Sequence, residues 1–121
     1  MSDRTNFENL RVYQLSEALA DAVWKVVRGW DNLARDTVGK QLIRSADSIG
    51  ANIAEGSGRA SMADNRRFVR IARGPLYETK HWLRRAFCRQ LLTSQQVEQI
   101  RATTEELTLT LNGYLRSLTK P

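Results

Sequence analysis

From Val97 to Leu118 the chain holds one rhythm: Val97, Ile100, Thr104, Leu107, Leu111, Tyr114 and Leu118 follow at alternating steps of three and four. Such steps bring a side chain back to the same side of an α-helix at each turn, whereas a strand, with its period of two, would scatter them over both faces. The same rhythm recurs three times earlier. Val12, Leu15, Leu19, Ala22, Val26 and Trp30 predict a helix over roughly 8–29, and Leu42, Ala46, Ile49 and Ile53 a second over roughly 37–56. Phe68, Ile71, Ala72, Pro75, Leu76, Thr79, Trp82, Leu83 and Ala86 give a third helix, over roughly 61–91, a broad apolar face. The Val97 pattern is the fourth, roughly 94–118. Four amphipathic helices with short connections in 121 residues predict an all-α, antiparallel up-down four-helix bundle, one domain over 1–121.

The punctuation between the helices is legible in part. Gly29 with Asp31-Asn32 reads as a stop and reversal. Gly56-Ser57-Gly58 reads as the end of the second helix, because glycine takes the left-handed conformation at low steric cost. Ser61 is a candidate cap for the third helix, with Asp64 near the positive end of its dipole, and Thr93-Ser94 a candidate cap for the fourth. Gly74-Pro75 predicts a kink near residues 71–75, or a true break, since proline removes one helical hydrogen bond and crowds the preceding turn.

Several function classes drop out. The longest apolar runs, such as Ala18-Leu19-Ala20 and Ala86-Phe87-Cys88, are far short of the roughly 20 residues of a membrane-spanning helix. The first residues lack the apolar core of a secretory signal, and Cys88 has no second cysteine to pair with, so a cytoplasmic location is expected. Cys88 itself reads as a small buried hydrophobe. Glu78-Thr79-Lys80-His81 has the Glu-x-x-His spacing of di-iron bundles, but such a site needs two copies and further carboxylates, and the chain has one histidine. His81 and Cys88 stand seven residues apart, about 10 Å along a helix, too far for a nucleophile and its base. Gly56-Ser57-Gly58 lacks the spacing of a phosphate-binding loop. The expectation is a non-enzyme with no cofactor and no metal.

The charge is uneven. Between Arg59 and Gln90 nine basic residues face two acids, a net +7, while the rest of the chain is −1 and the whole +6. Arg66, Arg70, Arg73, Tyr77, Lys80 and Arg84 fall on one stripe of the third helix. A row of arginines can grip phosphates in pairs of hydrogen bonds, and Tyr77 could stack on an unpaired base, so RNA or DNA is the candidate partner. A solvated face, or one that meets an acidic protein partner or another subunit, is the alternative. Membrane-surface binding fits poorly, because the opposite face is needed for the core. The second helix has its own polar stripe, Gln41, Ser45, Ser48, Asn52, Glu55 and Arg59, suited to close packing between helices or subunits. Glu55 has no visible catalytic partner, and Arg59 would hold it ionised.

The segment Gln41-Leu42-Ile43-Arg44-Ser45-Ala46, then Ser48-Ile49-Gly50-Ala51-Asn52-Ile53-Ala54-Glu55-Gly56, with Arg59, Phe68 and Ile71-Ala72-Arg73-Gly74 beyond it, closely resembles a family of four-helix-bundle proteins. The family was first noticed as reading frames inside intervening sequences of 23S ribosomal RNA genes. The Asn52–Gly56 stretch is the most specific part, and the opening Phe7-Glu8-Asn9-Leu10-Arg11-Val12-Tyr13-Gln14 is similar too. A related branch, the accessory proteins of diversity-generating retroelements, forms pentameric rings that engage nucleic acid and a reverse transcriptase. The resemblance thus implies a homo-oligomer, a homopentameric ring, with RNA binding, and it marks Asn52, Glu55, Gly56 and Arg59 as signature residues. It supplies no catalytic residue. Two positions depart from the family pattern: Gly50 stands where proline is common, and Pro75 where serine is, which implies a softer bend in the second helix and a sharper one in the third. Val23, Trp24, Val27, Ile43 and Leu115, left over once each helix has one apolar stripe in the core, point the same way, to a subunit interface. A protein scaffold or adaptor with no nucleic-acid role is the competing function.

Overall fold

The structure is a computed structural model that describes residues 7–119. Its four long helices are α1 (Arg11–Val27), α2 (Lys40–Ser57), α3 (Met62–Cys88) and α4 (Ser94–Thr119), and no strand occurs among the described residues. A 3-10 turn, Phe7–Asn9, leads into α1, and a short helical turn, Asn32–Ala34, with a π-helical stretch, Arg35–Gly39, leads into α2. In sequence order each helix packs on the next, and α4 returns to α1, so the four close a square around one core. Cross-contacts fix the directions. Arg66 near the start of α3 reaches the Leu118 carbonyl at the end of α4, and Trp30 beyond α1 donates to the Leu91 carbonyl just before α4. Neighbours are antiparallel.

The caps explain most boundaries. Ser61 Oγ accepts from the Asp64 amide at 3.1 Å at the head of α3. Thr93 and Gln96 form a reciprocal pair at the head of α4, the Thr93 hydroxyl accepting from the Gln96 amide at 3.1 Å and the Gln96 side chain from the Thr93 amide at 2.9 Å. The sequence reading is corrected before α2. Asp31 is a cap rather than part of a stop: its carboxylate accepts from the Ala34 amide at 3.0 Å, and helical backbone begins at Asn32. The end of α2 is corrected too, because Gly58 has φ −84° and no described glycine is left-handed. The left-handed residue is Gln90, φ 61°, at the end of α3. There Leu91 N–H bonds back to the Ala86 carbonyl and Gln90 N–H to that of Phe87, the paired closure that glycine usually provides. Pro75 does not break α3, which runs unbroken from Met62 to Cys88.

The core is built from Val12, Leu15, Leu19, Val23 and Val27 of α1, Leu42, Ala46, Ile49 and Ile53 of α2, Val69, Ala72 and Leu76 of α3, and Ile100, Leu107, Leu111, Leu115 and Leu118 of α4. Three residues assigned to a subunit interface, Val23, Val27 and Leu115, therefore belong to the core. A pattern of threes and fours averages 3.5 residues per turn whereas the helix has 3.6, so the buried stripe drifts along the helix, from Ala22 and Val26 to their neighbours Val23 and Val27. On α3 the buried line is Val69, Ala72, Leu76, Thr79 and Ala86, which leaves Ile71 beside it 45% exposed. Inside the core the Thr79 hydroxyl of α3 donates to Ser45 Oγ of α2 at 2.9 Å and shares its hydrogen with the Pro75 carbonyl at 2.8 Å, while the Ser45 hydroxyl donates to the Leu42 carbonyl.

Candidate nucleic-acid interface

The six residues of the basic stripe are set by the register of α3, whose other side carries the core. Arg66, Arg70, Arg73, Tyr77, Lys80 and Arg84 step by four, three, four, three and four, a line about 27 Å long at a rise of about 1.5 Å per residue. Arg70, Tyr77 and Arg84 are exposed, and Arg66, Arg73 and Lys80 half-buried. Arg66 spends one N–H on the Leu118 carbonyl at 3.0 Å, which makes it a tie between α3 and α4 as well as a charge. The Lys80 ammonium lies 4.7 Å from the centre of the Tyr77 ring, so one face of the tyrosine is already covered.

No member of the line forms an ion pair among the described residues. The acids nearby are engaged elsewhere: Asp64 pairs with Arg67 at 3.7 Å, Glu55 with Arg59 at 2.9 Å, and Glu78 accepts from the Trp82 indole at 3.2 Å. Glu105 of α4 shares a cleft with Lys80 and Arg84 without pairing to either, so cations outnumber acids along this side of α3. Across the bundle the sign reverses, where a shallow cleft between α1 and α2 is lined by Tyr13, Glu17, Asp21 and Asp47. Burial, then the neighbouring Asp21 charge, pushes the Asp47 carboxyl above its ordinary range. Burial, then Glu17, Glu8 and Asp21, does the same to the Tyr13 hydroxyl. An anion is repelled from the α1–α2 side and drawn to α3.

The signature residues of the second helix build the corner between α2 and α3. Gly56 is buried, and a Cβ on it would lie 2.7 Å from Asn65 Oδ1, 2.9 Å from the Asn65 carbonyl oxygen and 3.0 Å from Phe68 Cβ. Only glycine admits so close an approach. Arg59, paired to Glu55, stacks on one contact of the Phe68 ring and Arg67 on another, each 4.7 Å from its centre. Asn52 gives its amide to the Ser48 carbonyl of its own helix at 2.9 Å. Gly50 has a similar duty on the α1 side, since a Cβ there would meet Ser16 Oγ at 2.9 Å.

The residues weighed for chemistry are scattered. His81 is exposed and packs edge-on to Trp82, with 4.7 Å between ring centres. Cys88 is exposed rather than buried, a correction: it lies in the last turn of α3, two residues and so about 200° around the helix from the buried Ala86. Among the described residues no group of three His, Cys, Asp or Glu side chains is placed to hold a metal, and no helix is long and apolar enough to cross a membrane. What the sequence did not single out is the neighbourhood of the stripe on α4. Between the second half of α3 and the first half of α4 lies a cleft of about 350 Å³, where Lys80 and Arg84 meet Arg101, with Leu83, Phe87, Val97 and Ile100 as its apolar lining. Arg101 falls outside the apolar rhythm of its helix, and only the packing brings it to the basic line.

Comparison with known proteins places these features. Residues 8–113 match the family described as 23S rRNA-intervening sequence protein. A crystal structure at 1.70 Å of a protein with unknown function from the S23 ribosomal protein family, from Bacteroides thetaiotaomicron VPI-5482, superposes with a TM-score of 0.79 at 28% identity, covering 87% of this chain and 95% of that one. No curated protein matches the chain significantly in sequence.

Proposed function

The chain belongs to the 23S rRNA-intervening sequence protein family, and on that premise we propose that it is a non-enzymatic binding module of the cytoplasm that holds RNA, or other nucleic acid, against the basic line of α3. The observation that carries this reading is that Arg70, Arg73, Lys80 and Arg84 stand at the surface or half-buried with no acid paired to them, on the side of the bundle away from the acidic cleft. Arginine at such spacing contacts phosphates rather than base edges, so binding is strong at low salt and indifferent to sequence. The module works as a homo-oligomeric ring, a homopentamer by its resemblance to the retroelement accessory proteins. Support for self-association comes from Trp24, Leu33 and Leu109, large apolar side chains that are 57%, 77% and 74% exposed and that a second copy would take out of water.

The test is a titration of RNA at several salt concentrations with wild type and with an Arg70→Glu, Arg73→Glu, Arg84→Glu variant. Arg66 is left in place because its bond to the Leu118 carbonyl holds the end of α4. Wild type is expected to bind with log affinity falling linearly in log salt, and the folded variant to lose binding. Equal binding by both, or none by wild type at low salt, replaces this reading with that of a protein scaffold.

A further inference from the structure

We propose that the cleft between α3 and α4 takes an unpaired base, which makes this interface a reader of single strands. The inference rests on the nucleic-acid reading above and narrows it to one class of strand. Lys80 and Arg84 belong both to the basic line and to the rim of the cleft, so a backbone laid along α3 passes over the opening. Arg101 of α4 adds a third cation on the far side, against one acid, Glu105. The wall between them is apolar, and Phe87 lines it while remaining 53% exposed.

An apolar slot ringed by cations suits a flat group carried on an anionic chain. Phe87 is the ring available for it, because it has no aromatic or cationic partner among the described residues, whereas the Tyr77 ring is covered on one face by Lys80. Duplex RNA has no such group to offer, since its bases are stacked and paired and its accessible minor groove is shallow; a single strand can turn a base out onto an aromatic side chain. The line of about 27 Å gives a strand charge contacts on the long side of the cleft, and Phe87 gives it a stacking contact at the end.

The experiment compares a single-stranded uridine oligomer of about twelve nucleotides with an RNA duplex of about the same length, by fluorescence anisotropy over a salt series. The oligomer is expected to bind about tenfold more tightly than the duplex. Phe87→Ala and Phe87→Leu should each lose about tenfold on the oligomer and nothing on the duplex, Phe87→Trp should keep wild-type affinity, and the salt slope should be the same for all, because stacking and not charge has changed. Circular dichroism checks that the variants are folded. Equal or tighter binding of the duplex overturns the inference, as does a Phe87→Leu variant that binds the oligomer like wild type. In either case the proposed function stands if the triple Arg→Glu variant still loses RNA. Absence of binding to both probes overturns the two together. Tighter, Phe87-dependent binding of a polyglutamate peptide carrying one phenylalanine overturns it in favour of an acidic protein partner.

Discussion

Gly56 and Gln90 show how much a single position can decide in this chain. At Gly56 the α2 backbone is pressed against Asn65 and Phe68, with backbone oxygen 2.9 Å from where a methyl would sit. A flexible side chain could move aside, but a main-chain carbonyl in α3 cannot. Gly56→Ala is therefore expected to destabilise the fold by about 1–3 kcal/mol, the range of an overpacked core, seen as a lower urea midpoint at unchanged slope. Gln90 is the reverse case. It holds φ 61° to close the end of α3, a conformation that costs a residue with a Cβ about 1–2 kcal/mol and glycine almost nothing. Gln90→Gly should raise stability by about 1 kcal/mol, less than the strain relieved because glycine also loosens the unfolded chain. A calorimetric melting temperature that rises would bear this out, and one that falls would mean the Gln90 side chain holds more than its backbone.

At the scale of the helix, α3 is the element on which fold and function both depend, and it is closed at both ends by specific bonds: the Ser61 cap and the Ala86–Leu91 closure. Its interior contains Pro75, which cannot donate to the carbonyl of Ile71. The helix carries on regardless, because Ile71 lies on an exposed side of the helix, and because Ala72 and Leu76 on either side of the proline are fully packed. Proline in an ordinary helix interior costs about 3 kcal/mol. Pro75→Ala should recover about 1–2 kcal/mol of this, the rest being lost with the packing of the half-buried ring. The checks are a higher denaturation midpoint and unchanged helicity by circular dichroism. Because Arg73 and Tyr77 flank the proline, the same variant tests whether Pro75 shapes the basic line: RNA affinity altered without any loss of stability would show that it does.

Over the whole molecule the charges are divided, with acids gathered at the α1–α2 cleft and uncompensated arginines along α3. In the square of helices these two faces lie on opposite sides. Three large apolar side chains at the surface belong to neither face: Trp24 lies on α1, Leu33 before α2 and Leu109 on α4. If copies of the chain cover them, light scattering coupled to gel filtration at micromolar protein should report several times the 13.8 kDa of one chain. Trp24→Lys with Leu109→Lys should shift the peak towards one chain. A monomer across dilution would remove self-association from the proposed function and leave the RNA reading untouched, since the α3 line needs no second copy.

The all-α class, the four helices and the caps at Ser61 and Thr93 were legible from sequence because they are local: hydrophobic period and capping bonds act within a turn or two of the chain. The stripe from Arg66 to Arg84 was legible for the same reason, as residues of one helix with one register. Local rules failed where two residues were equally eligible. Ala22 or Val23, and Val26 or Val27, satisfy the same pattern, and the neighbouring helices chose which of each pair to bury. The end of α2 looked like a glycine stop, yet Gly56 is required by the approach of α3 and the left-handed turn went to Gln90. Arg101 joined the basic line, and Phe87 the wall of a cleft, only because α4 packs antiparallel against α3 and brings side chains 14 positions apart to one opening. Periodicity sees along one helix, whereas closeness between helices depends on crossing distance and rotation, which are settled by the packing of all four at once.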